Sequence, residues 1–477
     1  MVSFWIYDVS FLIVFCIGIY WFLRKRKNEL SREGWMFMWR TQFGIRAINW
    51  IVKRFGWGLG KLKWVVIIIG FGLMSIMLWM LGRSAMIYVL HPEITQTMKA
   101  PPIAPLIPYF PKLFGMENMF PDFYFAYFLL ALAIVAIFHE LFHGLFMKLY
   151  NVKIKSTGIV FLGPLLGAFV EQDESSMSNR KRSEQMAILG AGVFANLLIA
   201  GLFYLLYVSF FFLNFSAAGF AFNSYAYIDG VPATSIDAIG QDIGEMDIFY
   251  SGMILKQNLT EVYYNDAVYF TSTDSASKLA ANAQHVDYNL FLFAEAPAIL
   301  NEIKGAIVEI DGTKIQNVDS LGNFMANTMP GDSVHIVTKY EESIFEYDTV
   351  LDANPVDMDR GYLGVAYVDS KSGNILNRFL EYMMDFKDDS THYEVKGGGE
   401  FTYFVYHLLW WIMIINLLVA LFNMLPLGIL DGGRFLYLGV WSVTNSERFG
   451  KWAYLFATYS ILLALAVMMT FWFFGVF

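Results

Sequence analysis

A single cysteine, Cys16, in 477 residues leaves no disulfide framework and no thiolate metal site. It lies in an apolar segment, where a small core or lipid-facing residue is expected. Charge is also scarce: Asp, Glu, Lys and Arg make up 16% of the chain, against 57% hydrophobic residues. With a mean hydropathy of +0.47, that balance places the chain among polytopic membrane proteins. Proline is confined rather than absent, since seven of the 13 prolines fall between Pro92 and Pro121. Aromatic residues, at 18%, are plentiful and suit interfacial belts and lipid-facing surfaces.

Six apolar segments are long enough to cross a bilayer at roughly 20 residues per crossing: 4–23, 64–90, 122–147, 186–213, 402–428 and 452–475. The first has no basic stretch before it and no small-residue cleavage site after it, so it reads as a retained transmembrane helix rather than a signal peptide. Eleven Lys and Arg between Arg24 and Lys63 mark that connection as cytoplasmic. The N-terminus is then outside, and alternation puts 91–121, 214–401 and the C-terminus outside as well. Arg180, Lys181 and Arg182, and then Arg434, Arg448 and Lys451, fall in the expected inner loops. The 214–401 segment carries most of the acidic residues and accounts for the net charge of −9, which by itself says little about partners. No nucleic-acid partner is expected.

In the first inner loop Trp35, Met36, Phe37, Trp39, Ile45, Ile48, Trp50, Ile51 and Phe55 alternate with basic residues. The pattern predicts a helix in the headgroup plane, aromatics down and cations toward anionic lipid; a lid or partner site is the alternative. The proline-dense 91–121 loop is expected to be extended and free of helix. The acidic segment is long enough to bury its own core. Its second half runs strand (Ala306–Ile310), Asp311-Gly312 turn, strand, helix (Leu321–Met329), Pro330-Gly331-Asp332 turn, strand (Val334–Val337), with Arg360-Gly361-Tyr362-Leu363-Gly364 closing the order. This α+β order resembles a PDZ domain of the bacterial and archaeal protease type over about 290–368. Asp229-Gly230-Val231-Pro232-Ala233 and Glu295-Ala296-Pro297-Ala298 both look like the loop before a PDZ helix, leaving one interrupted domain or two degenerate copies open. In such a module a peptide adds as a strand to a sheet edge, making peptide termini a possible partner; a purely structural ectodomain is the alternative.

The chemistry is concentrated in His139-Glu140-Leu141-Phe142-His143, inside the third apolar segment. Residues four apart return to one helix face, so both imidazoles can hold one metal ion while Glu140 sits about 100° round, within reach of a water at the same centre. Zinc suits two neutral imidazoles plus one more donor. An ionisable group at membrane depth costs roughly 2.5–3.5 kcal/mol on insertion scales, so such groups usually line a functional cavity. A third donor is needed. Of the other histidines, His91, His285, His335, His392 and His407, most fall on the outer side by this topology. Asp431 fits better: His139 lies about 13 Å from the inner end of its helix, and the fifth segment also reaches the inner side at Asp431. Pro426 and Gly428 are expected to break that helix where irregular backbone lines a polar cavity. The alternative for Asp431 is a cap on an inner-loop turn.

H-E-x-x-H in one segment, Asn423-x-x-Pro426-x-x-x-Leu430-Asp431-Gly432 in a later one and a PDZ-like domain between them resemble the site-2 protease family of intramembrane zinc metalloproteases. The resemblance covers about 122–213 and 402–445, and the PDZ-like part less fully. It implies one zinc ion held by His139, His143 and Asp431, with Glu140 as general base. It implies substrate-contacting roles for Asn423, for Asn196 in Gly190-Ala191-Gly192-Val193-Phe194-Ala195-Asn196, where Val193 replaces the family's usual proline, and for the hairpin Gly158–Val170 with Gly163 and Gly167.

The expected fold class is a polytopic α-helical membrane protein of about six transmembrane helices with an inserted α+β PDZ-like extracytoplasmic domain. Its parts are 1–121 as a two-span extension with basic linker, 122–213 as the first half of the catalytic core, 214–401 as the ectodomain and 402–477 as the second half. The expected activity is hydrolysis of peptide bonds in or near transmembrane helices of membrane-protein substrates, in regulated intramembrane proteolysis, in a prokaryotic plasma membrane, with the active site toward the cytoplasm. Two rivals remain: a catalytically silent metal-binding scaffold, which need not keep Glu140 with all three donors, and a metal transporter, which should repeat polar residues over several spans.

Overall fold

The computed structural model describes residues 4–90, 101–102, 106–116, 120–250, 253–281, 289–340, 343–368 and 386–476. Pro92, Pro105, His91 and His285 lie outside them. The chain divides into two compact units, Met1–Phe211 with Glu400–Phe477, and Phe212–Gly399.

In the first unit, α1 (Phe4–Lys25), α2 (Phe43–Lys61), α3 (Lys63–Leu90), α4 (Phe125–Leu149) and α5 (Arg182–Asn214) precede the second unit, and α6 (Gly399–Asn423), α7 (Asp431–Thr444) and α8 (Glu447–Val476) follow it. Six of these, all but α2 and α7, are long and apolar enough to cross a membrane. The proline-free, Leu/Ala/Ile-rich run after Pro121 propagates α4 without interruption, and the helix ends where Asn151 takes a left-handed conformation at φ 53°. The centre of the unit is α5. Its residues Gln185 to Asn196 are buried on every side, and Ala187, Gly190, Ala191, Gly192 and Ala195 let neighbouring helices approach closely. Val66 and Ile67 of α3, Leu145 and Phe146 of α4, Ile188 and Val193 of α5 and Phe435 and Leu438 of α7 share one apolar core. Helix α3, part of the segment that the sequence places in an N-terminal extension, therefore packs in the same core as the H-E-x-x-H helix.

Helix α1 touches this unit differently. Its one buried residue is Asp8, 3% exposed. Asp8 accepts the backbone N–H groups of Phe125 at 2.7 Å and Ala126 at 2.9 Å, and the Tyr109 hydroxyl. Tyr124, the N-cap of α4, supplies no side-chain cap, so α1 provides the carboxylate that satisfies the first amides of α4.

Two sequence expectations are corrected here. The inner loop is not one interfacial helix: Leu30–Glu33 (β1) and Met36–Thr41 (β2) form a hairpin turned at Gly34, and helix begins only at Phe43. The β-favouring run Met36–Trp39 has found a partner strand. β2 pairs with Ile154–Leu162 (β3), which pairs with Leu165–Gln172 (β4), giving a four-stranded sheet in the order β1-β2-β3-β4. The proline-dense loop also carries a short helix, Phe110–Phe114, with Pro111 in its first turn, the one position where the missing N–H costs nothing.

The second unit begins with β5 (Phe215–Phe220), β6 (Ser224–Tyr225), β7 (Tyr227–Pro232), β8 (Ala238–Tyr250), β9 (Met253–Tyr264), β10 (Ala267–Ser272) and β11 (Asn289–Ala294). It continues with β12 (Ala306–Ile310), β13 (Thr313–Lys314), β14 (Ser333–Tyr340), β15 (Ser343–Val350), β16 (Asp352–Ala353), β17 (Gly361–Tyr362), β18 (Val365–Ala366) and β19 (Thr391–Val395). A seven-stranded sheet runs β18-β6-β8-β9-β10-β11-β7, and a six-stranded one runs β15-β14-β12-β5-β19, with β13 on β12. Phe220, Ile307 and Ile336 of the smaller sheet share a core with Ile248, Leu259 and Phe293 of the larger. The Asp311-Gly312 turn, both residues at positive φ, and a helix at Val318–Met325 follow the expected local order. The 290–368 stretch nevertheless divides between the two sheets. Of the two loop-like motifs upstream, Glu295–Ala298 leads into a one-turn helix, Pro297–Leu300, and Asp229–Ala233 instead ends strand β7.

Candidate metal centre

The spacing of His139 and His143 on α4 sets the rings side by side, both buried, with their Nε2 atoms 3.0 Å apart. Asp431 is the first residue of α7. The preceding helix α6 stops at Asn423, and the chain turns through Met424–Leu430 before α7 begins. Gly432 and Gly433 make that reversal possible: a Cβ on Gly432 would stand 2.4 Å from the Met424 and Leu425 carbonyl oxygens. The turn delivers Asp431 Oδ2 to 3.3 Å from Nε2 of each histidine. All three donor atoms lie within 4.8 Å of one another. Burial alone would raise the Asp431 carboxyl, but the His143 and His139 imidazoles beside it hold it well below the usual carboxylate range.

The other ring nitrogens establish what this set can bind. His143 Nδ1 lies 2.7 Å from the Ile188 carbonyl oxygen, an acceptor, so Nδ1 carries the proton and Nε2 is free to donate its lone pair. His139 Nδ1 lies 3.1 Å from the Asn196 amide nitrogen Nδ2, and the Oδ1 of that amide has no hydrogen-bond partner. With a cation on Nε2 the proton sits on Nδ1, and a half-turn of the amide places the orphaned Oδ1 on that proton. Between these two residues, a Cβ on Gly192 would lie 2.4–2.7 Å from both imidazoles. Ile188, Gly192 and Asn196, successive turns of α5, thus form one stripe that holds both rings. Two Nε2 lone pairs and a carboxylate, with both Nδ1 protons accounted for, match the donor set of a zinc site that keeps a fourth position open.

Glu140 faces the same cavity, of about 440 Å³, whose lining includes Val135, Ala136, Ala168, Val170, Gln172 and Asn423. Its Oε2 accepts the Val170 N–H at 2.9 Å. Among the described residues β4 pairs only with β3, so its outer edge runs past Glu140. At the rim, Gln172 donates to Glu174 at 2.7 Å and Arg434 pairs with Glu174 at 3.0 Å, tying β4 to the helix that begins at Asp431.

The structure brings His139, Glu140, His143, Asp431 and Asn423 to one cavity. It places Asn196 elsewhere: fully buried at 0% exposure, it lies against the His139 ring and is not among the residues that line the cavity. Gly163 occupies the β3–β4 turn at φ 59°, and Gly167 packs opposite Val160; neither is among the residues that line the cavity. Sequence reasoning missed Gly192, the Ile188 carbonyl and the Val170 N–H. For Gly192 a signal existed, in the four-residue step from Gly192 to Asn196.

The sequence model of peptidase family M50 matches residues 127–467. An uncharacterised protein of Methanocaldococcus jannaschii is 47% identical over 73 residues, 15% of this chain and 20% of that relative. The chain thus covers about a fifth of that relative's length.

Proposed function

The chain belongs to peptidase family M50, and from that premise we propose that it is a zinc-dependent intramembrane endopeptidase cutting peptide bonds in or near transmembrane helices of membrane-protein substrates. The observation that carries the reading is the convergence of His139, His143 and Asp431 within 4.8 Å, in a cavity shared with Glu140. These three residues would hold the ion. A bound zinc ion supplies Lewis-acid polarisation of a carbonyl and lowers the pKa of a water to about 7.

The chain's own groups do the rest. Glu140 accepts the proton of the attacking water and returns it to the leaving amine. The Val170 N–H holds Glu140 Oε2 and so fixes the direction of that carboxylate. Helical peptide bonds are shielded by their own hydrogen bonds, so the substrate has to unwind, and the outer edge of β4 at Ala168, next to the Val170 N–H that Glu140 occupies, offers an extended segment a strand to pair with. Asn423, at the cavity wall, is placed to orient the substrate backbone.

On the same reading the ectodomain and both termini are extracytoplasmic, the active site faces the cytoplasmic side of a prokaryotic plasma membrane, and the enzyme acts in regulated proteolysis. The β12–β13 hairpin, the Val318–Met325 helix and the β14–β15 pair support a PDZ-like peptide-binding element within the ectodomain.

The test is Glu140→Gln in the purified, reconstituted protein, assayed for bound zinc and for cleavage of a single-span substrate. Retained zinc with cleavage reduced by about 10²–10⁴ is expected. Undiminished cleavage overturns the role of Glu140, and a parent protein that binds zinc but cuts nothing is the silent scaffold.

A further inference from the structure

From Gly34 to Leu90 the chain contains no Asp or Glu, yet it holds Arg40, Arg46, Lys53, Arg54, Lys61, Lys63 and Arg83. Four of these cations lie on α2, and they are not scattered. Phe43, Arg46, Trp50, Lys53, Trp57 and Lys61 step by three or four residues, so they fall in one stripe along the helix. Every member of the stripe is exposed; Trp50 is 68% exposed and Trp57 80%. Aromatic and cation alternate along it, and Lys61 Nζ sits 3.5 Å from the centre of the Trp57 ring. A solvated helix face has no use for two large indoles, and an apolar packing face has no use for the cations between them. The combination suits a surface that is apolar and negatively charged within one side-chain length.

Position in the chain names that surface. Helix α2 ends at Lys61, and the spanning helix α3 begins at Lys63, so the stripe ends within two residues of a membrane crossing. The opposite face of α2 is fixed to the protein: Ile48, 1% exposed, packs where a Cβ on Gly144 would stand 2.4 Å from its Cδ1. Gly144 directly follows the metal-binding His143. The stripe is therefore held rigidly outward by the helix that carries the centre.

We propose that the Phe43–Lys61 stripe of α2 is a binding surface for anionic phospholipid headgroups: the indoles sit at acyl-chain depth, and Arg46, Lys53 and Lys61 engage phosphates. Each Lys or Arg near an anionic surface is worth a preference of roughly fivefold, so the stripe gathers acidic lipid out of a mixed bilayer. The inference is independent of peptidase activity, and its test reads no cleavage.

The full-length protein is reconstituted in phosphatidylcholine containing a minor fraction of phosphatidylglycerol, with bromine on the acyl chains of either the neutral or the anionic lipid to quench indoles in contact with it. Subtracting a Trp50→Phe/Trp57→Phe variant isolates those two of the 13 tryptophans. Brominated phosphatidylglycerol is expected to quench the pair several-fold more than its mole fraction predicts. The excess should disappear in Arg46→Gln/Lys53→Gln/Lys61→Gln, and shrink in the parent protein on going from low to molar salt. Quenching by both lipids in proportion to their mole fractions overturns the proposal, leaving an interfacial helix with no headgroup preference. So does quenching by neither, which would assign the stripe to an acidic protein partner. The salt arm needs only the parent and the Trp50→Phe/Trp57→Phe variant and decides the matter even if the triple variant does not fold.

Discussion

Gly192 shows how much of a metal centre can depend on a side chain that is absent. Alanine is favoured over glycine in a helix interior by roughly 0.5–1 kcal/mol, so Gly192→Ala should leave α5 intact or stabilise it. The added methyl, however, would occupy space 2.4–2.7 Å from the His139 and His143 rings, and the rings cannot yield without leaving the Ile188 carbonyl and the Asn196 amide. Zinc affinity should fall by at least about tenfold, the scale on which supporting groups tune such centres, and the thermal midpoint of the zinc-free protein should fall as well, because the methyl overpacks a buried site and displaces two hydrogen-bonded rings. Stoichiometric zinc in the purified variant would sink this account. The four chemical residues were legible in the sequence for local reasons: His139 and His143 share a face through helix geometry alone, Glu140 follows from them, and Asp431 was reachable by counting depth along two segments. The position of Asn196 was not. Its contact with His139 depends on how α5 crosses α4, and sequence spacing within α5 carries no record of its partner, so its burial against that ring, away from the cavity lining, left no mark.

At the scale of elements, the part of the chain read as an extension is bound to the centre at several points. Strand β2 continues the β3–β4 sheet, with the Trp39 to Ile159 and Thr41 to Thr157 registers pairing the two hairpins. The linker's aromatic–basic pattern fits a helix equally well before Thr41 and after Phe43; only a non-local partner strand distinguishes them, so the strand was unreadable while α2 was read correctly. Helix α1 is held by one buried polar group, beside the ring contacts of Phe11 and Phe15 with Phe125. Asp8 supplies both oxygens to the first amides of α4, where the helix dipole adds to the hydrogen bonds. Asp8→Asn keeps the volume but presents an amino group to an amide donor, leaving one N–H of α4 unpaired at a buried position. The expected cost is about 1.5–3 kcal/mol, read as a lower thermal midpoint in detergent, with zinc still bound because the histidines lie more than three turns further along α4. An unchanged midpoint would show that water or another group satisfies those amides, and that α1 is held by its aromatic contacts alone.

At the scale of the whole molecule, the sequence divides a membrane-embedded catalytic part from an acidic insertion, and the chain's own hydrogen bonding shows why the insertion can be a unit in its own right. Its first and last strands are zipped together: β5 and β19 run antiparallel with Phe215 opposite Val395 and Ser216 opposite Glu394, and the Lys396 N–H donates to the Asn214 carbonyl at 2.8 Å. An insertion whose two ends form a ladder returns the chain to its starting point, so the host need not deform to accommodate it. Its two sheets share a core built from Phe220, Ile248, Leu259, Phe293, Ile307 and Ile336, all within the insertion. The sequence reading found the β12 to β14 order from turns and alternation, and left open whether it belongs to one interrupted domain or to one of two copies. Strands β5 and β19, at the two ends of the segment, complete the sheet that β12 and β14 belong to, and pairing over that separation leaves no local mark. The excised segment Phe212–Gly399 should therefore fold alone as a soluble domain: a protein of this size buries roughly 70% of its extended-chain surface, and its own strand ladder, not the membrane helices, closes its ends. Circular dichroism with strand-dominated signal and one cooperative thermal transition is the expected result. Trimming the segment to 222–386, which removes β5 and β19 together, should abolish that transition, because β12 loses its neighbour and the smaller sheet its edge. A trimmed fragment that melts as cooperatively as the full segment would show that the zipped strands only connect the insertion to its host and contribute nothing to its fold.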